Sequence, residues 1–193
     1  ARDLVEVDSY HYEISGKRSL SVIGQLGCPM ACAFCSGRNS PTFRRIRLRD
    51  AKNVVAEIEH LVKEYGIDGI MFYDDELNIN NAFTELMNSL IDMQMRLGKE
   101  LAFRGFVKSE LFTDAHASLM AKAGFKTLLS GFESASPRIL ENINKKATVD
   151  DNTRCLDAAR KYGIHMKALM SIGHAGESEE TRSEEHTSEL QSR

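Results

Sequence analysis

The sequence contains no tryptophan, three prolines and four cysteines among 193 residues, and it has no long apolar run. A membrane-spanning helix needs about 20 consecutive apolar residues, and a secretory leader needs a basic start followed by an apolar segment. Residues 1–13, ARDLVEVDSYHYE, have neither property. The sequence therefore predicts no membrane span and no signal peptide.

Charge of one sign is not in excess either. The formal net charge is −3 and the isoelectric point is about 6.1, so composition does not indicate a nucleic-acid or anionic-membrane partner. The phosphate-binding patterns GxGxxG and GxxxxGK[ST] are absent, which excludes nucleotide binding through those two motifs. One basic stretch, FRRIRLR at 43–49, suits either an acidic or phosphate-bearing partner or an ordinary solvated surface.

Three of the four cysteines lie close together, as Cys28, Cys32 and Cys35 in the segment GCPMACAFCSG. A secreted disulfide scaffold would distribute an even number of cysteines along a short chain. The spacing C-x3-C-x2-C instead indicates metal ligation in a reducing compartment, and hence a cytoplasmic location. Cys155 lies in a helical pattern and is interpreted as a small core residue.

Strand-like and helix-like segments alternate along the rest of the chain. Short apolar runs predict strands at 19–26, 67–75, 101–107, 125–133 and 164–173. Apolar residues at helical spacing predict helices at 50–66, 80–98, 113–124, 136–144 and 149–163. Strands separated by helical crossovers pair in parallel, so the fold class is α/β, with either an open doubly wound sheet or a barrel.

The distinctive polar residues follow the strands. Ligands of parallel α/β folds bind at the carboxyl ends of the strands, so residues that follow different strands are expected to meet at one rim. The cysteines follow the first strand, and the later strands are followed by Asp74, Asp75 and Glu76, then Lys108, then Glu133 and Ser134, and finally Gly173.

Three cysteines are an unusual number of metal ligands. A structural zinc site takes four protein ligands, and either His11 or His60 is available as a fourth, although neither has zinc-ribbon spacing. A [4Fe–4S] cluster ordinarily takes four cysteines. With three, one iron keeps an open coordination position, at which a small molecule is bound and activated.

The motif C-x3-C-x2-C, with the aromatic Phe34 before its last cysteine, resembles that of the radical S-adenosylmethionine (radical SAM) superfamily. The resemblance covers about residues 18–181. It implies a partial (β/α) barrel, with about five of the six strands present and an open edge where the sixth would pair. It also implies a [4Fe–4S] cluster on the three cysteines that cleaves S-adenosylmethionine to a 5′-deoxyadenosyl radical. This radical abstracts hydrogen from an unknown substrate, and a flavodoxin or ferredoxin is the expected reductant.

The same resemblance assigns roles to the rim residues. FYDDELN at 72–78 corresponds to the acidic segment that contacts the methionine amino group, and GFESAS at 131–136 to a segment that reaches the ribose or the methionine end. A basic residue after the third strand would pair with a carboxylate, and the segment SIGHAGES at 171–178 would pack near adenine. The implied cofactor-binding residues are Phe34, Asp74, Asp75, Glu76, Lys108, Glu133, Ser134 and Gly173.

The tighter resemblance is to the branch of the superfamily in which a cobalamin-binding domain precedes the barrel. Residues 1–18 are then interpreted as a linker, with cobalamin held by a domain that this chain does not contain. Residues 19–181 form the radical SAM core. Residues 182–193 resemble a translated sequencing-library adapter and are interpreted as a non-native tail.

A second function from a different class stays open from the residues. A non-catalytic iron–sulfur or zinc protein, acting as an electron carrier or scaffold, would also use clustered cysteines. Such a carrier has no need of an acidic segment after the second strand, or of an open iron. Metal content distinguishes the two, since a cluster brings about four iron and four sulfide whereas a zinc site brings one zinc.

Overall fold

The computed structural model describes residues 4–79 and 81–182, in which strands and helices alternate along the chain. The strands are β1 (Glu13–Ile14), β2 (Lys17–Val22), β3 (Gln25–Leu26), β4 (Arg47–Leu48), β5 (Gly69–Phe72), β6 (Ala102–Phe106), β7 (Phe125–Glu133) and β8 (His165–Met170). The helices are α1 (Ala51–Tyr65), α2 (Phe83–Leu97), α3 (Asp114–Ala123), α4 (Pro137–Asn142) and α5 (Val149–Lys161). The proposed tail lies outside the described residues from position 183 onward.

A single curved sheet of six strands has the order β1–β2–β5–β6–β7–β8. The last five of these strands run parallel and follow one another in chain order, so they form a half-barrel with all carboxyl ends at one rim. β1 pairs antiparallel at the edge of β2. This arrangement confirms the predicted partial (β/α) barrel.

The helices begin and end at the residues that local chemistry favours. The Asp50 carboxylate accepts hydrogen bonds from two backbone N–H groups at the start of α1, and Gly66 ends that helix in the left-handed conformation. Thr113 and His116 form a reciprocal capping box at the start of α3. Such caps satisfy backbone groups that the helix itself leaves unpaired, which is why the helix positions were predictable from sequence.

The outer face of the sheet carries most of the core. Three phenylalanine rings, of Phe72, Phe103 and Phe125, lie within 5.9 Å of one another between centroids. Helices α1 and α2 cover this face with fully buried aliphatic and methionine side chains, among them Ile58, Leu61, Met87 and Leu90. Burial of this apolar surface stabilises the half-barrel and holds its rim in place.

The first predicted strand, at 19–26, is wrong as one continuous element. It breaks after Val22, and Gln25–Leu26 pairs instead with Arg47–Leu48 in a separate two-stranded sheet. The break occurs where the Gly24 N–H turns to donate to the Asp74 carboxylate, 2.9 Å away. Neither β1 nor β4 was predicted, because a two-residue strand is too short to show an alternating pattern.

The opposite edge of the sheet, β8, has no further strand beside it within the described residues. Four of its six residues are exposed, which agrees with the open edge expected there. Among residues 4–79 and 81–182, every helix is too short or too polar to cross a bilayer.

Candidate functional site

The loop that carries the three cysteines lies between β3 and β4 and is fastened at both ends. The Cys28 N–H donates to the Phe43 carbonyl at 3.0 Å. The Ala33 N–H donates to the Ile143 carbonyl at 2.7 Å, and the Asn144 side chain donates to the carbonyl of Ala31 at 2.9 Å. Residues from the end of α4 therefore hold the middle of the loop against the rim.

Gly27 sits where a side chain has no room. Its φ is +98°, and a Cβ there would collide with the backbone carbonyls of Phe43 and Arg45. Only glycine adopts this conformation at such close approach without strain. The first cysteine thus follows a turn whose geometry depends on Gly27.

All three thiols are free, Cys32 is buried, and Cys28 and Cys35 are half-buried. Burial raises the pKa of the Cys28 thiol. Within the described residues no three His, Cys, Asp or Glu side chains are placed around a single metal ion. An iron–sulfur cluster offers each cysteine a different iron, so three thiols spread along one loop fit a cluster by donor chemistry.

Two of the three adjacent acids hold the cysteine loop. Asp74 is 2% exposed, and its carboxylate accepts from the Gly24 N–H at 2.9 Å. The Asp75 carboxylate accepts from the Gly27 N–H at 2.5 Å. Burial raises the pKa of Asp74 to about 6, although the backbone donors that it contacts oppose the shift. Both acids therefore use their carboxylates to position the residues that precede Cys28.

The third acid, Glu76, is different. Its Oε2 atom is buried and has no hydrogen-bond partner among the described residues. Burial raises the pKa of Glu76 to about 7, against the attraction of the Lys108 and Lys145 ammonium groups. A buried carboxylate oxygen without a donor is costly, so Glu76 is the acid of this segment that has capacity for a ligand.

Lys108 lies at the carboxyl end of β6 and is 3% exposed. Its ammonium group lies 2.9 Å from the Glu110 carboxylate. Burial opposes the charged ammonium, but the carboxylates of Glu110 and Glu76 outweigh it and raise the pKa of Lys108. The residue is thus a buried, charged lysine at the rim, whose carboxylate partner in the structure is Glu110.

A polar chain links the ends of β7 and β8. Glu133 has a left-handed backbone, with φ of +66°, and its carboxylate contacts Lys145 at 3.4 Å and accepts from the Ser171 hydroxyl at 2.8 Å. Ser171 Oγ lies 2.6 Å from His174 Nε2. The His174 ring in turn lies 5.4 Å from the ring of Phe34, so this chain reaches the cysteine loop.

Ser134 and Gly173 each take part in a hydrogen bond that involves a backbone N–H group. The buried Ser134 hydroxyl accepts from the Ser136 N–H at 3.1 Å, just before α4. The Gly173 N–H donates to Glu177 at 2.9 Å, and its φ of +101° is left-handed. An added Cβ at Gly173 would meet no atom within 4 Å, so the position is open.

The structure adds residues that the sequence reasoning did not assign to the site. Lys145 pairs with Glu133, and a signal was available in the NKKAT segment that follows α4. Ser171 and His174 enter through contacts with other loops, which no local pattern reveals. On the inner face, Arg104 donates to the Tyr12 hydroxyl at 3.0 Å while its Nε is buried without a partner in the described part of the chain.

This geometry, a half-barrel with three thiols and a charged rim at the strand ends, agrees with the comparison to known families. The chain belongs to the Radical SAM superfamily, whose profile matches residues 22–186. Proteins of this family use a [4Fe–4S] cluster and S-adenosylmethionine.

Curated relatives match across most of the chain. An uncharacterized methyltransferase of Pyrococcus horikoshii is 32% identical over 182 residues, covering 92% of this chain and 38% of the relative. An anaerobic magnesium-protoporphyrin IX monomethyl ester cyclase of Rubrivivax gelatinosus is 31% identical, covering 94% of this chain and 32% of the relative. The chain thus spans about a third of the length of these relatives.

Solved structures share the fold. The radical S-adenosylmethionine methyltransferase TsrM of Kitasatospora setae, with tryptophan and a SAM analogue bound, superposes with a TM-score of 0.80 at 23% identity, covering 89% of this chain and 34% of TsrM. The cobalamin-dependent radical enzyme OxsB superposes with a TM-score of 0.72 at 16% identity, covering 86% of this chain and 25% of OxsB.

Proposed function

We propose that this chain is the catalytic core of a radical SAM enzyme, with Cys28, Cys32 and Cys35 as the ligands of a [4Fe–4S] cluster. The observation that carries the proposal is the unpartnered buried carboxylate oxygen of Glu76, at the same rim as three free thiols. An electron carrier whose cluster has no open iron does not need such an oxygen. A site that binds an ammonium group beside an open iron needs an oxygen that accepts its hydrogen bonds.

The rim residues divide into two roles under this proposal. Asp74 and Asp75 orient the cysteine loop through the backbone of Gly24 and Gly27. Glu76 would accept from the amino group of S-adenosylmethionine, and Lys108 would pair with a carboxylate. Glu133 and Ser134 would lie toward its ribose or methionine end, Gly173 near adenine, and Phe34 beside the cluster.

A [4Fe–4S] cluster held by Cys28, Cys32 and Cys35 would supply one electron for the reductive cleavage of S-adenosylmethionine to methionine and a 5′-deoxyadenosyl radical. The protein's part is to hold and orient the cofactor and to exclude water from it. Buried Lys108, ion-paired with Glu110, keeps a positive charge at the rim. The inner face of the half-barrel below the rim would hold the substrate.

Electron paramagnetic resonance of the anaerobically reconstituted, reduced protein tests this proposal. We expect about four iron and four sulfide per chain, and a cluster signal that changes when S-adenosylmethionine is added. Cys35→Ala should lower the iron content. Cys155→Ala is the matched control, because Cys155 is fully buried in α5, and should leave it unchanged. A cluster indifferent to S-adenosylmethionine would instead indicate an electron carrier.

We further propose methyl transfer with cobalamin as the reaction class of the whole protein. Two similarities support it: a relative that is described as a methyltransferase, and a shared fold with TsrM, which was solved with cobalamin bound. Incubation with cobalamin and methyl-labelled S-adenosylmethionine tests it. Label found on cobalamin supports methyl transfer, whereas formation of 5′-deoxyadenosine without labelled cobalamin supports a cyclase or another rearrangement.

Free thiols at the loop also favour a reducing, cytoplasmic setting.

A further inference from the structure

Arg104, in the middle of β6, lies on the inner face of the half-barrel. Its neighbour Phe103 belongs to the large core that the helices cover. Ala102 belongs instead to a second cluster, to which strands alone contribute, with Ile14, Met71 and Leu129. Side chains two residues apart on a strand point to the same face, so Arg104 shares the inner face with Ala102.

The guanidinium group of Arg104 has more donors than the structure uses. Its Nη1 donates to the Tyr12 hydroxyl at 3.0 Å. Its Nε is buried, and among residues 4–79 and 81–182 it is the one cationic nitrogen on the inner face that lacks a hydrogen-bond partner. Arginine is always charged, and a buried charged donor without an acceptor is costly. Arg104 is therefore a donor whose acceptor does not belong to the described chain.

The unused edge of the guanidinium suits an oxyanion. Because Nη1 is the nitrogen that contacts Tyr12, the edge formed by Nε and Nη2 is left for a ligand. Two parallel N–H groups of arginine match two oxygens of a carboxylate or a phosphate. The Tyr12 hydroxyl accepts from Arg104 and still carries a proton that it can donate.

Apolar side chains surround this polar pair. Met71 is the register partner of Arg104 on β5, and Phe106 follows it by two residues on the same face of β6. Tyr12 and Phe106 both pack against the inner cluster. A charge in such surroundings attracts an opposite charge more strongly than it would in water. The ligand that fits combines an oxyanion with an apolar body.

Arg104 lies deeper in the half-barrel than the residues proposed for S-adenosylmethionine. Four positions of extended chain separate it from Lys108, roughly 13 Å at about 3.3 Å per residue. Lys108 lies at the rim beside Glu110. A molecule anchored at Arg104 would therefore extend from the inner face toward the rim, as a substrate beneath the cofactor must.

We propose that Arg104, assisted by Tyr12, binds a carboxylate or phosphate group of the substrate; this rests on the proposed function. Arg104 is then a specificity residue, which holds the charged end of the substrate while its reacting carbon faces the cofactor at the rim. A purely structural role, tying the segment before β1 to the sheet, would use the Tyr12 contact alone and leave Nε without an acceptor.

The test is isothermal titration of the reconstituted protein with its cluster oxidised and S-adenosylmethionine present, so that the rim is occupied and no cleavage occurs. Benzoate and phenyl phosphate are the probes, and benzyl alcohol is the uncharged comparison. Arg104→Met should weaken the binding of the tighter oxyanion roughly 10- to 100-fold. Arg160→Met removes an exposed charge on α5 and should stay within about twofold of the parent. The tighter of the two oxyanions identifies the group that the substrate carries.

The Nε–H signal of Arg104 in nuclear magnetic resonance is a second readout, which a structural role would not move. It is assigned by its loss in Arg104→Met. It should shift downfield when the oxyanion is added, because the proton then gains an acceptor. Tyr12→Phe removes the structural contact but keeps the guanidinium, so it should lose less affinity for the oxyanion than Arg104→Met.

Three results would overturn the proposal: benzyl alcohol binding as tightly as both oxyanions, equal oxyanion affinity in the parent and in Arg104→Met, or an Nε–H signal that neither oxyanion moves at millimolar concentration. The response of the reduced cluster to S-adenosylmethionine is measured beside them. If that response fails in the parent, the proposed function is wrong. If it holds and Arg104→Met binds the probes as the parent does, only the oxyanion proposal is wrong.

Discussion

The two regions of the half-barrel differ in what their buried side chains contact. On the helix-covered face, buried residues such as Phe72 and Phe103 pack against other apolar groups. At the carboxyl rim, the buried residues include Asp74 and Lys108, and the buried Oε2 of Glu76 has no partner in the described chain. Burial of apolar groups in the first region stabilises the folded protein. Burial of polar and charged groups in the second region lowers that stability.

This difference distinguishes residues that stabilise the fold from the candidate site residues at the rim. A buried carboxylate without a donor lowers stability, and a left-handed glutamate such as Glu133 adds backbone strain. Both lie where parallel α/β folds bind ligands. Substitutions on the helix-covered face should therefore change stability, whereas substitutions at the rim should also change the binding of the cluster or of S-adenosylmethionine.

The largest expected effect is on the apolar side. Phe103→Ala should lower the free energy of unfolding by about 3–5 kcal/mol, because it leaves a cavity between the rings of Phe72 and Phe125. Chemical denaturation measures this. Phe103→Leu is the control and should cost clearly less, since it retains most of the apolar volume. Equal losses in the two variants would contradict a cavity as the cause.

The second-largest effect on stability is expected at Asp74, the acid that accepts from the Gly24 N–H before the cysteine loop. Asp74→Ala should cost about 1–3 kcal/mol, because it leaves the buried Gly24 N–H without an acceptor. It should also reduce iron incorporation by displacing the loop. Asp74→Asn keeps an acceptor oxygen and should retain both stability and iron content. If the asparagine variant behaves like the alanine variant, the charge of Asp74 matters more than its hydrogen bond.

Glu76 should make the stability of the protein depend on pH. Its folded pKa of about 7 lies above the ordinary value of 4.5, so the folded protein binds the proton more tightly than the unfolded chain. Stability contributed by this group is therefore present at low pH and is lost as pH rises from about 4.5 to about 7. Glu76→Gln should remove that loss, on the order of 3 kcal/mol, in the cluster-free protein.

The same Glu76→Gln variant should bind its cluster but respond less to S-adenosylmethionine in electron paramagnetic resonance. Glu64→Gln, at an exposed position near the end of α1, is the matched control for both measurements. A Glu76→Gln variant that keeps the pH dependence of the parent would show that another group titrates there.

The smallest effect is expected at the cap that begins helix α3. Thr113→Ala removes the side-chain oxygen that accepts from the His116 N–H. It should lower the free energy of unfolding by about 1 kcal/mol and leave iron content and the response to S-adenosylmethionine unchanged. Thr113→Ser keeps the cap and should match the parent.

Much of the fold was predictable because its signals are local. Helix caps such as Asp50 and Thr113 act within three residues, and apolar spacing marks the face that each helix buries. The spacing of the three cysteines likewise indicated a metal centre by itself. The rim was predictable too, since it depends only on the order of parallel strands.

The rest depended on contacts between distant segments. Three adjacent acids have the same chemistry in the sequence, yet Asp74 turns to Gly24, Asp75 turns to Gly27, and Glu76 is left unpartnered. These contacts join residues about 50 positions apart, and the curvature and register of the sheet decide them.

The sequence alone therefore determined the kinds of side chain at the rim and the order of the elements that carry them. Tertiary structure decided which acid holds the loop, which one is free for a ligand, and that Lys145, Ser171 and His174 join the site. The physical reason is the separation along the sequence of the residues that interact. Helix caps and apolar periodicity involve residues within a turn or two of each other, whereas burial and charge pairing depend on distant residues that only folding brings together.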